Sequence, residues 1–311
     1  QPSQPKAMRR FCRPERGGVE SLACLACLAT MLCLATVTCF GGPSDTLSRH
    51  AGSVETLTRP VLVVGATGRT GSRTYLLLKK HGVPVRGLVQ NRSKARQVLG
   101  CVRCDDEEGI FVGDVTDPRT LVEPASGAGS LVIATGPQVT CDPYPTHCSC
   151  ATGECPIDVD WHGGRNVMSA FARATAGRGQ VVMISSDNTC YADDSLKADA
   201  DPLNGFYKLN AEAFLMSSGL PYTIIKPCGL TDAPPGHLSL DAFHNDDGTT
   251  GHGTICTDNG TIGHGTIARA DVARLIAAAL KHPAASSGLR FDFCSKPGPG
   301  TPDAALVNVL L

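Results

Sequence analysis

Residues Pro60-Val61-Leu62-Val63-Val64-Gly65-Ala66-Thr67-Gly68-Arg69-Thr70-Gly71 decide how this chain is read. Val61 to Val64 is an unbroken aliphatic run, the pattern of a strand buried on both faces of a parallel sheet. Three glycines follow at intervals of three, and Ser72 to Lys80 then reads as a helix. A buried strand therefore turns sharply into a helix N-terminus. Such a turn offers free backbone N–H groups, the positive end of a helix dipole and no Cβ to block close approach, which together suit a pyrophosphate. A glycine triplet alone also marks ordinary turns; the flanking strand and helix supply the required context. Gly65, Ala66, Thr67, Gly68, Arg69, Thr70 and Gly71 are accordingly candidate dinucleotide-binding positions.

The rest of the chain sets bounds on that reading. A length of 311 residues suits one large domain or two small ones, and a hydrophobic share of 42% supports a sizeable core. The net charge of −1 gives no global attraction to nucleic acid or to an anionic membrane, so no nucleic-acid partner is expected. Fifteen cysteines are scattered over the whole length, which excludes a compact disulfide scaffold.

Residues 1–58 read as a targeting leader rather than fold, with Met8 as a start. Arg9, Arg10, Arg13 and Arg16 form a basic region, followed by the uncharged Leu22 to Phe40 and a Ser/Thr-rich linker. This order resembles the two-part leaders of algae with secondary plastids. The alternatives are a secretory signal, or a membrane anchor if 22–40 is retained. Residues 59–311 form the folded part.

Gly82 to Val89 reads as a second strand ending in Gln90-Asn91-Arg92-Ser93-Lys94. An acid at this tip would hold a ribose 2′-hydroxyl and favour NAD, whereas a base accommodates the 2′-phosphate of NADP. No acid is present and Arg92, Lys94 and Arg96 follow, so NADP is expected over NAD, with Arg92 near the phosphate. The alternative is a solvated basic helix start. A third strand ends at Asp114 and Val115, and Asp117 is placed to cap the next helix. A fourth ends in Ala134, Thr135 and Gly136, small enough for a nicotinamide ribose to approach.

Residues 137–158 form a Cys-rich insert with Cys141, Cys148, Cys150, Cys155 and His147. The spacing matches no zinc ribbon or finger, so a loop of free or paired cysteines, without metal, is expected near the mouth of the cleft. Cys101 and Cys104 form a C-x-x-C that opens no helix and reads as incidental. A helix reaches about Ala176, and strands follow at Gln180–Ser186 and Pro221–Pro227, with a helix from about Asn204 to Met216 between them. Residues 228–267 read as a loop-rich substrate lobe, with a hairpin about Asn259-Gly260 and two solvated histidines, His252 and His264. A helix at Ala270–Leu280 and a strand at Gly288–Phe293 complete an α/β, doubly wound parallel Rossmann sheet with a small loop-rich C-terminal lobe.

The segments Val63 to Gly71, Val112 to Asp117, Val159 to Trp161, Gly219 to Leu230, Arg269 to Ala273 and Phe291 to Pro297 together resemble the atypical short-chain dehydrogenase/reductases of the NmrA-like, NAD(P)-binding type, especially plastid members. The resemblance implies about seven strands and NADP binding. It also exposes a departure. A standard reductase of this class uses a Tyr as proton donor and a Lys one helical turn later. Aligning Ala211-Glu212 with the family places Phe206 and Asn210 at those positions. Ser186, Tyr207 and Lys208 remain weak catalytic candidates, Lys208 starting from the wrong helix face. The expected activity is thus a weak or non-standard oxidoreductase acting on an unidentified small-molecule acceptor of flavin or quinone type. The alternative is a non-catalytic NADP-binding redox sensor or assembly scaffold with a protein partner, tethered to a membrane if the apolar run is kept.

Overall fold

The computed structural model describes residues 57–141, 148–187, 189, 202–243 and 265–310, all within a unit spanning Ala51–Leu311. The twelve strands of this part are β1 (Val61–Val64), β2 (Val85–Val89), β3 (Ile110–Val112), β4 (Ser130–Ile133), β5 (Val139–Cys141), β6 (Cys148–Cys150), β7 (Gln180–Ile184), β8 (Tyr222–Pro227), β9 (Gly229–Thr231), β10 (Ser239–Phe243), β11 (Thr266–Ala268) and β12 (Leu289–Lys296). Eight of them form one sheet in the order β10-β12-β8-β7-β4-β1-β2-β3. Every pairing in it is parallel except that of β10 with β12.

Both faces of the sheet are covered, and the side-chain alternation of β1 shows how. Val61 and Val63 enter one core cluster with Leu78 of α1 (Arg69–Lys80) and Ile276 of α6 (Arg269–Lys281). Leu62 and Val64 enter the other with Phe171 of α4 (Gly164–Thr175) and Leu215 of α5 (Pro202–Ser217). A strand whose two faces are both dry must read as an unbroken apolar run, as β1 does. The shorter α2 (Arg92–Leu99) and α3 (Val122–Ala125) lie between α1 and α4 in sequence; α7 (Pro283–Ser286) and α8 (Leu306–Leu310) follow α6.

The sheet has one strand more than the seven expected. The extra strand, β10, lies in the stretch read as loop, where Ser239-Leu240-Asp241-Ala242-Phe243 is too short and mixed to announce itself. Leu240 is buried and Asp241 pairs with Lys296 across the antiparallel edge. The same stretch contributes β9 and β11, which pair in parallel. The insert forms a β5–β6 hairpin closed below by a Cys150–Cys155 disulfide. Cys101 and Cys104, read as incidental, are also joined, as are Cys228 and Cys294. Residues 1–56, which hold most of the expected leader and its Leu22 to Phe40 run, lie outside the described residues, as do His147, the expected Asn259-Gly260 hairpin, His252 and His264. No described helix is long and apolar enough to cross a membrane.

Candidate functional site

The C-terminal ends of β1, β2, β4, β7 and β8 surround a cleft of about 880 Å³. It sits where the strand order reverses between β1 and β4, the switch point at which open α/β sheets take ligands. Gly65, Thr67, Gly68, Arg69 and Thr70 line one wall. Gly65 has φ +78°, and a Cβ there would lie 2.8 Å from the Ala134 carbonyl oxygen. Gly68 is the N-cap of α1; no side chain caps the helix and no acid lies in its first turn. The positive helix end therefore meets the cleft without a side-chain counter-charge. Gly71 and Ala66 do not line the cleft. A Cβ on Gly71 would lie 2.2 Å from the Gly65 carbonyl oxygen, so this glycine lets α1 close onto the turn.

At the tip of β2 the cleft is lined by Gln90 and Lys94. Asn91 caps α2, its side-chain oxygen accepting from the Lys94 N–H at 3.0 Å. Arg92 is exposed and is not among the lining residues. Asp114 also stands outside the lining, its carboxylate taken by Gln90 Nε2 at 2.9 Å and by the N–H and hydroxyl of Thr116, each at 2.8 Å. Burial tends to raise the Asp114 carboxyl, but these hydrogen bonds outweigh it and hold the group below its ordinary value. Val115, Ala134, Thr135 and Gly136 continue the wall. Asn166 fixes the Val115 turn by donating to its carbonyl at 2.9 Å. Pro137, Gln138, Gly153 and Glu154, at the two ends of the insert, complete this rim.

The opposite wall contains Ser186, Lys208, Cys228 and Arg269. Lys208 is only 8% exposed, and its Nζ lies 2.9 Å from Asp160 Oδ1. Asp160 comes from the π-helical turn Ile157–Gly163; it is 4% exposed and its Oδ2 has no hydrogen-bond partner among the described residues. Burial pushes the Asp160 carboxyl up, and the Lys208 charge opposes that push. The expectation that Lys208 starts from the wrong face is corrected here. The buried stripe of α5 is Lys208, Ala211, Glu212 and Leu215, an i, i+3, i+4, i+7 series. Two charged members hide it from a hydrophobicity reading. Glu212 accepts from the Ser185 hydroxyl and, at 2.7 Å, from Arg290 Nε, which fixes α5 against the end of β7. Phe206, Tyr207 and Asn210 are not among the lining residues; Tyr207 packs edge-on to Phe206.

Arg269 and Gln90 were not anticipated. Arg269 is ion-paired with Asp232 at 3.0 Å, and the same carboxylate holds Arg73 at 3.1 Å. Its position after β11 gives no local signal, because it reads as the first turn of an Ala-rich helix.

A glycine turn with no room for a Cβ at Gly65 or Gly71, an uncapped helix end and a switch-point cleft define a dinucleotide-binding protein of Rossmann type. Residues 65–283 match the NAD(P)H-binding family, and the chain belongs to it. It is 33% identical over 262 residues to At2g37660, a chloroplastic protein of Arabidopsis thaliana, a match covering 81% of this chain and 74% of that protein. It is 29% identical over 213 residues to sanguinarine reductase of Eschscholzia californica, covering 60% and 75%. The fold is shared with the oxidoreductase ylbE of Lactococcus lactis, with a TM-score of 0.55 at 18% identity, covering 81% and 94%.

Proposed function

We propose that this chain is an NADP(H)-dependent, plastid-located reductase that serves acceptors needing no positioned proton donor, of flavin or quinone type. The supporting observation is the buried Lys208, which lines the cleft and is held from behind by Asp160. With Lys208 in the cleft, the residue one helical turn earlier is Asn204, not a tyrosine. The Tyr-x-x-x-Lys pair is therefore missing in the register that the cleft uses, as it is in the register of Asn210. The glycine turn and the α1 N-terminus would hold the pyrophosphate, and Gln90 and Lys94 the adenosine ribose. The nicotinamide, when bound, supplies a hydride; Lys208 and Ser186 would orient its ribose and the acceptor. A chloroplastic relative and the Ser/Thr-rich leader support the plastid location.

The assay is a panel of quinone, flavin and simple ketone acceptors with NADPH. Quinone or flavin turnover with slow ketone reduction is expected, since a missing general acid is worth about 10²–10⁴ in rate. Brisk ketone reduction that disappears in Tyr207→Phe overturns the reading. Binding without NADPH oxidation by any acceptor leaves the redox-sensor or scaffold alternative in its place.

The coenzyme preference has its own test. Lys94→Ala should weaken NADPH by about tenfold, the loss of one charge-assisted hydrogen bond, and NADH much less. Arg92→Ala should have the smaller effect, because Arg92 lies outside the lining. Calorimetric titration of both coenzymes checks this; NADH binding more tightly than NADPH in the parent protein rejects the basic-tip argument.

A further inference from the structure

Cys101 and Cys104, three positions apart in sequence, close a short loop with Cα atoms 5.1 Å apart, within the range a disulfide tolerates. The span lies between Gly100, which ends α2, and the 3-10 turn Asp106–Glu108. Its middle is open to solvent: Val102 is 75% exposed, an apolar side chain standing between the two half-cystines. The sulfurs face inward, Cys101 being the less deeply buried. The span opens no helix, so it lacks the dipole that lowers the thiol pKa in oxidoreductase active sites. It is placed as a target of thiol exchange rather than as a catalyst of it.

We propose that Cys101 and Cys104 form a reversible dithiol–disulfide modification site whose state sets the affinity of the cleft for its dinucleotide. The inference rests on the dinucleotide reading above. Two features make both states compatible with the fold. The Glu108 carboxylate accepts from the N–H groups of Val102 at 3.1 Å, Arg103 at 2.8 Å and Cys104 at 2.6 Å, which holds the loop without the S–S bond. The β2–β3 pairing beyond it is also independent of the bond.

Coupling to the cleft runs through α2. The Val102 carbonyl accepts from Arg96 Nε at 3.2 Å and from Nη2 at 2.9 Å. Cys101 and Cys104 belong to the same core cluster as Ala95 and Leu99 of this helix. Two residues before Arg96, the same helix sends Lys94 to the cleft. Cys104 has φ +57°, a left-handed conformation uncommon for a residue with a Cβ. Opening the bond frees that residue to relax and loosens the anchor at the C-terminal end of α2.

The reductant is a dithiol. One of its thiolates attacks the Cys101 sulfur, the Cys101–Cys104 bond breaks and a mixed disulfide forms. Its second thiol then displaces Cys101. Two electrons and two protons end on the cysteine pair, and the reductant leaves as a disulfide.

The test uses the full chain in buffers of defined oxidised-to-reduced dithiothreitol ratio. Iodoacetamide labelling of the segment is read by mass, and NADPH binding by calorimetry, beside Cys101→Ser/Cys104→Ser. Two labels should appear together as the potential falls, and the dissociation constant should rise about fivefold, the low end of ordinary coupling between sites. The double variant should bind like the reduced chain and ignore the buffer. By reciprocity, saturating NADPH should shift the labelling midpoint about 20 mV more negative, the same factor expressed as a two-electron potential. A pair that stays unlabelled in the native chain overturns the proposal, as does redox-dependent affinity that persists in the double variant. Reversible labelling with unchanged affinity overturns the coupling alone. No NADPH binding in either state overturns the dinucleotide reading instead.

Discussion

Gly68→Asp is expected to weaken NADPH binding by more than about 100-fold, roughly 3 kcal/mol, while leaving the melting temperature unchanged or slightly raised. The two effects separate because of where Gly68 stands. Its backbone, at φ −74° and ψ 166°, is one that any residue adopts. A Cβ there would lie 3.1 Å from the Gly65 carbonyl oxygen, close enough to need a small adjustment but not a refolding of the turn. An aspartate at an N-cap satisfies the first free N–H groups of a helix and stabilises it. In doing so it puts a carboxylate where the phosphate oxygens would be received, and fills the close approach by repulsion as well as volume. Gly71→Ala should behave in the opposite sense. Its Cβ would fall 2.2 Å from a backbone oxygen that cannot move aside, so the fold loses about 3 kcal/mol, the upper end of ordinary overpacking. Calorimetric titration and thermal melting on the two variants distinguish a ligand-facing glycine from a packing glycine. If Gly68→Asp binds NADPH as the parent does, the turn is not the phosphate cradle.

That distinction also marks what the sequence could show. The strand-glycine-helix order is local, so β1, the turn and α1 were readable from the single stretch Pro60 to Lys80. The spacing did not reveal that Gly71 serves packing while Gly68 faces the cleft, because both obey the same interval. The face of α5 was misread for a physical reason. A core stripe is recognised by apolar residues at helical spacing, and here Lys208 and Glu212 occupy it, each neutralised by a partner distant in sequence. The pairing of Asp160 with Lys208 spans 48 positions and that of Glu212 with Arg290 spans 78; nothing local announces either. The basic tip of β2 was legible, but which base enters the cleft depended on the Asn91 cap, which sets the phase of α2. Strand β10 escaped because an edge strand in which the buried Leu240 stands between the half-buried Ser239 and Asp241 carries too little alternation to be recognised.

The largest effect on stability is expected from Lys208→Met, about 3–5 kcal/mol, because it strands a buried carboxylate without its counter-charge. Asp160 has one oxygen already lacking a partner among the described residues, so none of these offers a second donor to replace the ammonium. The double variant Asp160→Asn/Lys208→Met should recover most of the loss, since removing both charges removes the need for either. The pH dependence follows from the direction of the shift. Burial raises the Asp160 carboxyl and Lys208 opposes that rise; deleting Lys208 lets the carboxyl rise further. A group whose folded value exceeds its unfolded one contributes stability that is fully present below the unfolded value and is lost as pH rises through the folded one. The deficit of Lys208→Met should therefore be smallest below about pH 4, where the carboxyl is neutral in both states, and should widen towards neutrality. The double variant should show no such widening. Function separates from folding in the same pair. The double variant, though restored in stability, still lacks the cation in the cleft wall and should bind NADPH about tenfold more weakly, the worth of one charge-assisted hydrogen bond. Denaturant melts across pH, with calorimetric titration at neutral pH, measure both. A double variant as unstable as the single one would show that the pair is not what holds Lys208 in place, and parental NADPH affinity in the double variant would remove Lys208 from the cofactor site.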